Sequence, residues 1–253
     1  METMIRDREL AKIRSKCGYS SGLCLSSRGR SGGLGFWWKN IDAELISYDK
    51  NHVMVEVKNA SGEPEWRAVG IYGWPDAESK HLTWRMIRSL RRSSTIPIIL
   101  FGDFNEIISL NEKEGGKDRR EAQMDAFREA LDDCALLDLG YRGSIFTWKR
   151  GNSPETLIRE RLDRAVATME WREMYPSATT FVYPLYASDH AAILIKEEGN
   201  QGEVGSRQRS FKFEPLWLSD AECGHVVKQA WEDGQGHDVE DRVKSCATKL
   251  QGG

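Results

Sequence analysis

A chain of 253 residues with 40% hydrophobic and 30% charged side chains can bury one sizeable core and carry an appendage. No apolar run approaches the roughly 18 residues of a membrane span. Met1 to Leu10 alternates charges with single apolar residues, unlike a secretory leader, so cytosolic or nuclear residence is the expectation. The net charge is −3. It is uneven, because the stretch before Lys196 balances and the negative excess lies beyond it.

A balanced domain still binds nucleic acid where its cations cluster. Clusters occur at Arg88/Arg91/Arg92, Lys117/Arg119/Arg120 and Arg159/Arg161/Arg164, although ordinary solvated surface is the simpler account of any one of them. The five cysteines are scattered and form no CxxC pair, which points to reduced thiols without a disulfide framework or zinc site.

In chain order, Leu34–Trp38 reads as a strand after a Gly-Gly turn. Ala43–Tyr48 and Val53–Val57 flank Asp49-Lys50-Asn51 as a hairpin. Val53, Val55 and Val57 alternate with Met54 and Glu56, which predicts a half-buried strand. Ala68–Tyr72 follows the Gly62-Glu63-Pro64 turn, and Ile96–Phe101 is a continuous buried-type run ended by Gly102. Strands are also predicted at Ile145–Trp148, Thr179–Tyr183 and Ala191–Ile195. Helices are predicted over Ser79–Arg92, Glu121–Cys134 and Met169–Tyr175 from apolar spacings of three and four.

Many strands with few, non-alternating helices point to an α+β layered sandwich over residues 1–195. A Gly/Glu/Gln/Ser-rich linker is expected at 196–209. Residues 210–253 then form a connector, with an aromatic cluster at Phe211–Trp217 and a helix near Ala221–Trp231.

The residues able to do chemistry gather in short motifs. Gly102-Asp103-Phe104-Asn105 ends the buried run, so one carboxylate and one amide emerge together where a phosphate could meet them. A plain strand-ending turn explains the same residues equally well. Ser188-Asp189-His190 puts a histidine beside a carboxylate, although a strand cap with a surface histidine reads alike. In Arg161-Leu162-Asp163-Arg164 the arginines would favour the ionised Asp163, and a salt-bridged surface turn is the simpler account. Tyr72 ends a strand from which its hydroxyl could reach a phosphate. No GxSxG elbow, HExxH, P-loop or strand–GxGxxG–helix is present.

Met-Glu-Thr at 1–3, Ser-Gly-Gly-Leu at 31–34 with Trp38, Tyr-Gly at 72–73, Gly-Asp-Phe-Asn at 102–105, Phe-Thr-Trp at 146–148, Arg-Leu-Asp-Arg at 161–164 and Ser-Asp-His at 188–190 occur in one order. That order resembles the endonuclease/exonuclease/phosphatase superfamily. Glu112-Lys113-Glu114-Gly115-Gly116, Gln123 to Arg128 and Phe211-Lys212-Phe213-Glu214 with Trp217 are similar to the endonuclease region of plant LINE (non-LTR) retrotransposon polyproteins.

The resemblance implies a deoxyribonuclease-like four-layer α/β/β/α sandwich and a DNA-nicking activity dependent on Mg²⁺ or Mn²⁺. It implies Glu2, Asp103 and Asp189 around the metal, and Asn105 and Tyr72 on the scissile phosphate. Asp163 would orient His190, which would stabilise the phosphorane, and Thr147 would support the phosphate-binding edge. DNA is the implied partner, and no reverse transcriptase domain lies within this chain. The family's opening strand, with its Trp-Asn-type motif, has no counterpart before Glu2, so a sandwich without its first strand is expected. Met4 stands where many relatives carry Lys, and Ala191-Ala192 where they often carry a proline. A catalytically inactive remnant, or a phosphomonoesterase of the same superfamily, are the alternative readings.

Overall fold

The computed structural model describes residues 5–28, 31–151, 153–184, 188–197, 221–233 and 246. The chain divides into two compact units, 1–200 and 201–253. The first unit opens with α1 (Asp7–Lys16), β1 (Ser21–Arg28), β2 (Ser31–Trp38), β3 (Ala43–Tyr48), β4 (His52–Lys58), β5 (Pro64–Tyr72) and α2 (Lys80–Arg92). There follow β6 (Ile98–Asp103), a 3₁₀ turn at Leu110–Glu112, β7 (Lys113–Glu114), α3 (Glu121–Asp133), β8 (Leu137–Asp138) and β9 (Tyr141–Gly143). The remainder comprises β10 (Trp148–Arg150), β11 (Ile158–Glu160), β12 (Asp163–Ala167), α4 (Met169–Met174), β13 (Ala178–Val182) and β14 (Ile193–Glu197). In the second unit, α5 spans Ala221–Asp233. The aromatic cluster at Phe211–Trp217 and most of the predicted linker lie outside the described residues. No described helix is long and apolar enough to cross a membrane, and all five cysteines are free.

The central sheet has six strands in the order β3-β4-β5-β6-β12-β8, antiparallel except for the β5–β6 pair. One face is covered by α2 and α3. There Trp84 stacks on Phe127 (4.6 Å between centroids) and Phe104 on the same ring (5.5 Å), pairs worth about 0.5–1.5 kcal/mol each beyond their buried area. The other face packs on a second layer. Val53, Val55, Ile99 and Ala165 meet Phe36 and Trp38 of β2 and Ile195 of β14. α1 lies on the far side of the β1–β2 hairpin, with Leu10 buried and Arg14 Nη1 donating to the Gly22 carbonyl (3.0 Å). Helix, sheet, sheet and helix follow in that order, as expected for an α+β sandwich.

Three local expectations need correcting. β4 is not half-buried: every residue from His52 to Val57 is buried, because Met54 meets the α2/α3 layer while Val53 and Val55 meet the other. A strand covered on both faces does not need the alternation its valines display. The strand predicted at Ile145–Trp148 begins only at Trp148, since the Ser144 hydroxyl caps a turn by accepting from the Phe146 N–H (3.1 Å). Arg161 to Arg164 is no surface turn but the buried entry to β12. α1 went unpredicted because Leu10 is its one fully buried side chain in a run dominated by charges.

Candidate active site

β6 carries the buried run Ile98–Leu100 and ends at Asp103. Its parallel register sets Tyr72 beside Asp103, and its antiparallel register on the other side sets Asp163 beside Asp103. Three residues about 30 to 90 positions apart in sequence thus stand in one row at one end of adjacent strands. The row depends on close backbone approach. A Cβ on Gly102 (φ 133°) would lie 2.3 Å from the Ile71 carbonyl oxygen, and one on Gly73 would lie 2.4 Å from that of Phe104. Only glycine fits at either place.

His190 comes from a different part of the sandwich. It forms an isolated antiparallel bridge with Trp148, flanked by Lys149 N–H to the Asp189 carbonyl (2.9 Å) and Ala191 N–H to the Thr147 carbonyl (2.7 Å). This brings its Nδ1 to 2.9 Å from Asp163 Oδ2 and its Nε2 to 3.9 Å from Asp103 Oδ2. Asp103 and Asp163 are 2% and 1% exposed, whereas His190 is half-buried.

Asn105 turns the chain with φ 57°. Its backbone N–H donates to Asp103 Oδ1 (2.8 Å), and its side-chain amide donates to Asp103 Oδ2 (3.0 Å) and the Gly73 carbonyl (2.8 Å). Its donors therefore orient Asp103 and fasten the ends of β5 and β6 together. Thr147 is fully buried, and its hydroxyl accepts from the Leu162 and Asp163 N–H groups (3.0 and 2.9 Å), so it clamps the strand that carries Asp163. Tyr72 is half-buried, with its backbone tied to Asn51 in both directions (2.8 and 2.7 Å). Asp189 is exposed and accepts from the Trp148 indole N–H (3.2 Å). Glu2 lies outside the described residues.

The electrostatics are lopsided. Burial first, then the neighbouring Asp163, push the Asp103 carboxyl up to about 7 against the opposing His190, Asn105 N–H and Lys80. For His190, burial opposes the charged form, but the hydrogen bond and charge of Asp163, reinforced by Asp103 and Asp189, prevail and raise its pKa. Asp163 Oδ1 is buried and, among the described residues, has no hydrogen-bond partner. Burial and the neighbouring acid thus both disfavour the charged form of Asp103 in this corner.

No family model and no curated protein matches the sequence. Among solved structures, the chain is similar to the endonuclease domain of TRAS1, a telomere-specific non-LTR retrotransposon (TM-score 0.55, 16% identity, 78% of this chain and 94% of that one). The two share their fold. Looser likenesses include an endonuclease/exonuclease/phosphatase family protein from Bacteroides thetaiotaomicron (TM-score 0.46, 11% identity, 75% and 79% coverage). Another is D. rerio TDP2 complexed with single-strand DNA product (0.45, 13%, 76% and 82%). At these scores the two add nothing to the fold assignment.

Within this fold, no group of three His, Cys, Asp or Glu side chains forms a ready metal cage among the described residues. A hard cation nevertheless suits the corner. Burial and Asp163 disfavour the ionised Asp103, which a cation would reverse. Among the described residues Asp163 Oδ1 has no hydrogen-bond partner, and Mg²⁺ keeps several waters when one or two carboxylates bind it.

Sequence reasoning missed the charges that brace the site. Lys80 Nζ lies 3.1 Å from Glu106 Oε2, both buried, and Arg119 joins Glu160 (2.6 Å). Arg161 and Arg164, two of the candidate nucleic-acid cations, are buried against Glu112 (2.9 and 2.7 Å) and Asp138 (2.9 and 3.0 Å). In sequence these charges look the same as solvated ones.

Proposed function

We propose that this chain is a divalent-metal-dependent phosphodiesterase that nicks DNA, of the kind found in plant LINE-type retrotransposons. One observation carries the reading: Asp163, His190 and Asp103 form a hydrogen-bonded and ion-paired row at the open end of adjacent strands. Such a row suits phosphoryl transfer, where positioning and charge stabilisation outweigh covalent chemistry.

Asp163 accepts from His190 Nδ1–H, which fixes the ring and favours its charged form. His190 Nε2–H then points a positive donor toward the space beside Asp103, where a phosphoryl oxygen gains charge during attack. Asp103 aligns the attacking water and takes its proton, and Asn105 holds its carboxylate in place. Tyr72 stands next to Asp103 in the row and contacts the scissile phosphate, while Thr147 secures the Asp163 edge. A bound Mg²⁺ or Mn²⁺, held by Asp103 with Asp189 and Glu2, would neutralise charge on the phosphate.

The test is relaxation of supercoiled plasmid with Mg²⁺ by wild type, Asp103→Ala and His190→Ala. The reading requires nicking by wild type that each substitution lowers by at least about 10²-fold. Equal nicking by all three preparations sinks it. Phosphomonoesters assayed in parallel decide the substrate class, and turnover of those alone would replace the endonuclease with a phosphatase.

A further inference from the structure

We propose that Lys80 is a positioning residue for this site, acting through the backbone of Asn105. The proposal rests on the phosphodiesterase reading. Lys80 opens α2 with its side chain 5% exposed, and Glu106 is completely buried. The Lys80 ammonium makes two contacts there. It pairs with Glu106 Oε2 at 3.1 Å, and it donates to the Asn105 carbonyl.

The second contact lies where the chain is most constrained. Asn105 occupies the left-handed region (φ 57°), which asparagine adopts more readily than other non-glycine residues. It is held from two sides. Its side-chain amide reaches the Gly73 carbonyl on the β5 side, and its own carbonyl receives Lys80 on the α2 side. The first turns of α2 are fixed in turn, because buried Thr83 accepts the Trp74 N–H at 2.9 Å. Lys80 therefore links a helix fastened to the end of β5 with the loop that aims Asp103.

Charge balance alone does not account for it. Glu106 has a second cation, Arg119 Nε, 3.7 Å from its Oε1, and that oxygen also accepts the Ile107 N–H (3.1 Å). Glu106 Oε1 thus keeps its partners without Lys80, while Oε2 loses its cation. Among the described hydrogen bonds, Lys80 supplies the side-chain donor to the Asn105 carbonyl.

Removing Lys80 alone confounds two effects, so the decisive variant is the pair Lys80→Met with Glu106→Gln. Lys80→Met leaves a buried carboxylate short of a cation and lowers Tm. Adding Glu106→Gln removes that carboxylate and restores Tm. If Lys80 positions Asn105, kcat for plasmid nicking stays about 10- to 100-fold low in both variants, with KM unchanged. Recovery of wild-type kcat together with Tm in the double variant would overturn the proposal and leave Lys80 as a mere counter-charge.

Amide hydrogen exchange gives a readout independent of activity. The Asn105 and Gly73 N–H groups, bonded to Asp103 Oδ1 and the Asp103 carbonyl, should exchange at least about tenfold faster in the double variant. Wild-type rates at both amides would also overturn it. If wild type itself nicks no DNA, the phosphodiesterase reading falls while the exchange rates still decide whether Lys80 holds the loop.

Discussion

Replacing Glu112 by Gln removes one charge from a buried quartet and leaves its shape nearly intact. Glu112 and Asp138 face Arg161 and Arg164, whose side chains are 7% and 0% exposed. Glu112 Oε1 accepts from Arg161 Nη1 (2.9 Å) and Arg164 Nη1 (3.2 Å), and Oε2 accepts from Arg164 Nη2 (2.7 Å) and the Ile108 N–H (2.7 Å). Two acids and two cations cancel, so Glu112→Gln leaves one net positive charge in the interior.

Breaking a buried ion pair from one side costs about 3–5 kcal/mol. For a domain of this size, about 2–4 °C of Tm follows each kcal/mol, which gives a fall of about 6–20 °C. Thermal melts and urea titrations followed by far-UV circular dichroism at pH 7 measure it. Glu112→Gln with Arg164→Met then removes the stranded cation. Methionine also keeps an apolar contact over the Phe127 ring, where the Arg164 guanidinium now sits 5.2 Å from the centroid. The double variant should recover most of the loss. A Glu112→Gln protein within about 1 kcal/mol of wild type, or a double variant no more stable than the single, refutes the quartet as a stabilising unit.

Gly102→Ala should cost at least about 3 kcal/mol, because its Cβ would meet the Ile71 carbonyl at 2.3 Å in a backbone at φ 133°. A wild-type urea midpoint would show that β5 and β6 separate more easily than their register implies. Acid should unfold the protein through the same ion pairs that support β12. Burial opposes ionisation of Glu112, Asp138 and Glu160, but Arg164 for the first two, and Arg119 and Lys113 for Glu160, outweigh it and lower all three pKa values. A depressed folded-state pKa contributes stability above the unfolded value near 4 and loses it as pH falls through the folded value. These three acids should make the urea midpoint drop below about pH 4. The raised Asp103 and His190 favour the folded state as protons bind, and should lift the midpoint as pH falls from 7 to about 5. Glu112→Gln should lose less on acidification than wild type, and equal losses would contradict the assignment.

Local patterns carried much of the fold. The predicted bounds of α2 and α3 differ from those found by one residue at one end, because their apolar faces meet a sheet and repeat at helical spacing. Asp103 was readable because a buried-type run stopped at a glycine, and His190 because it preceded an apolar strand. Register was not readable. Nothing near Asp163 in the sequence announces that it pairs with Asp103, since strand pairing joins residues by long-range closure. Buried charge was equally hidden. Arg164 has its carboxylate partners at positions 112 and 138, and a cation whose partners are remote in sequence is indistinguishable from one in water. Thr147 illustrates a third limit: its place in Phe-Thr-Trp does not announce that its hydroxyl accepts from the Leu162 and Asp163 N–H groups.

β12 joins two buried charge groups built on opposite principles. The quartet at Arg161 and Arg164 is neutral, and both of its acids ionise more easily than in water. Asp163, between those arginines in sequence, belongs to the other group, in which Asp103 is driven up to about 7. The chain can balance buried charge at this strand, so the imbalance a residue away does not reflect a lack of means. Burying like charges side by side works against folding, and adjacent titratable groups with divergent environments are how a site obtains an acid and a base at one pH. The contrast between the two groups, more than any motif alone, supports the proposal that the chemistry lies at Asp103, Asp163 and His190.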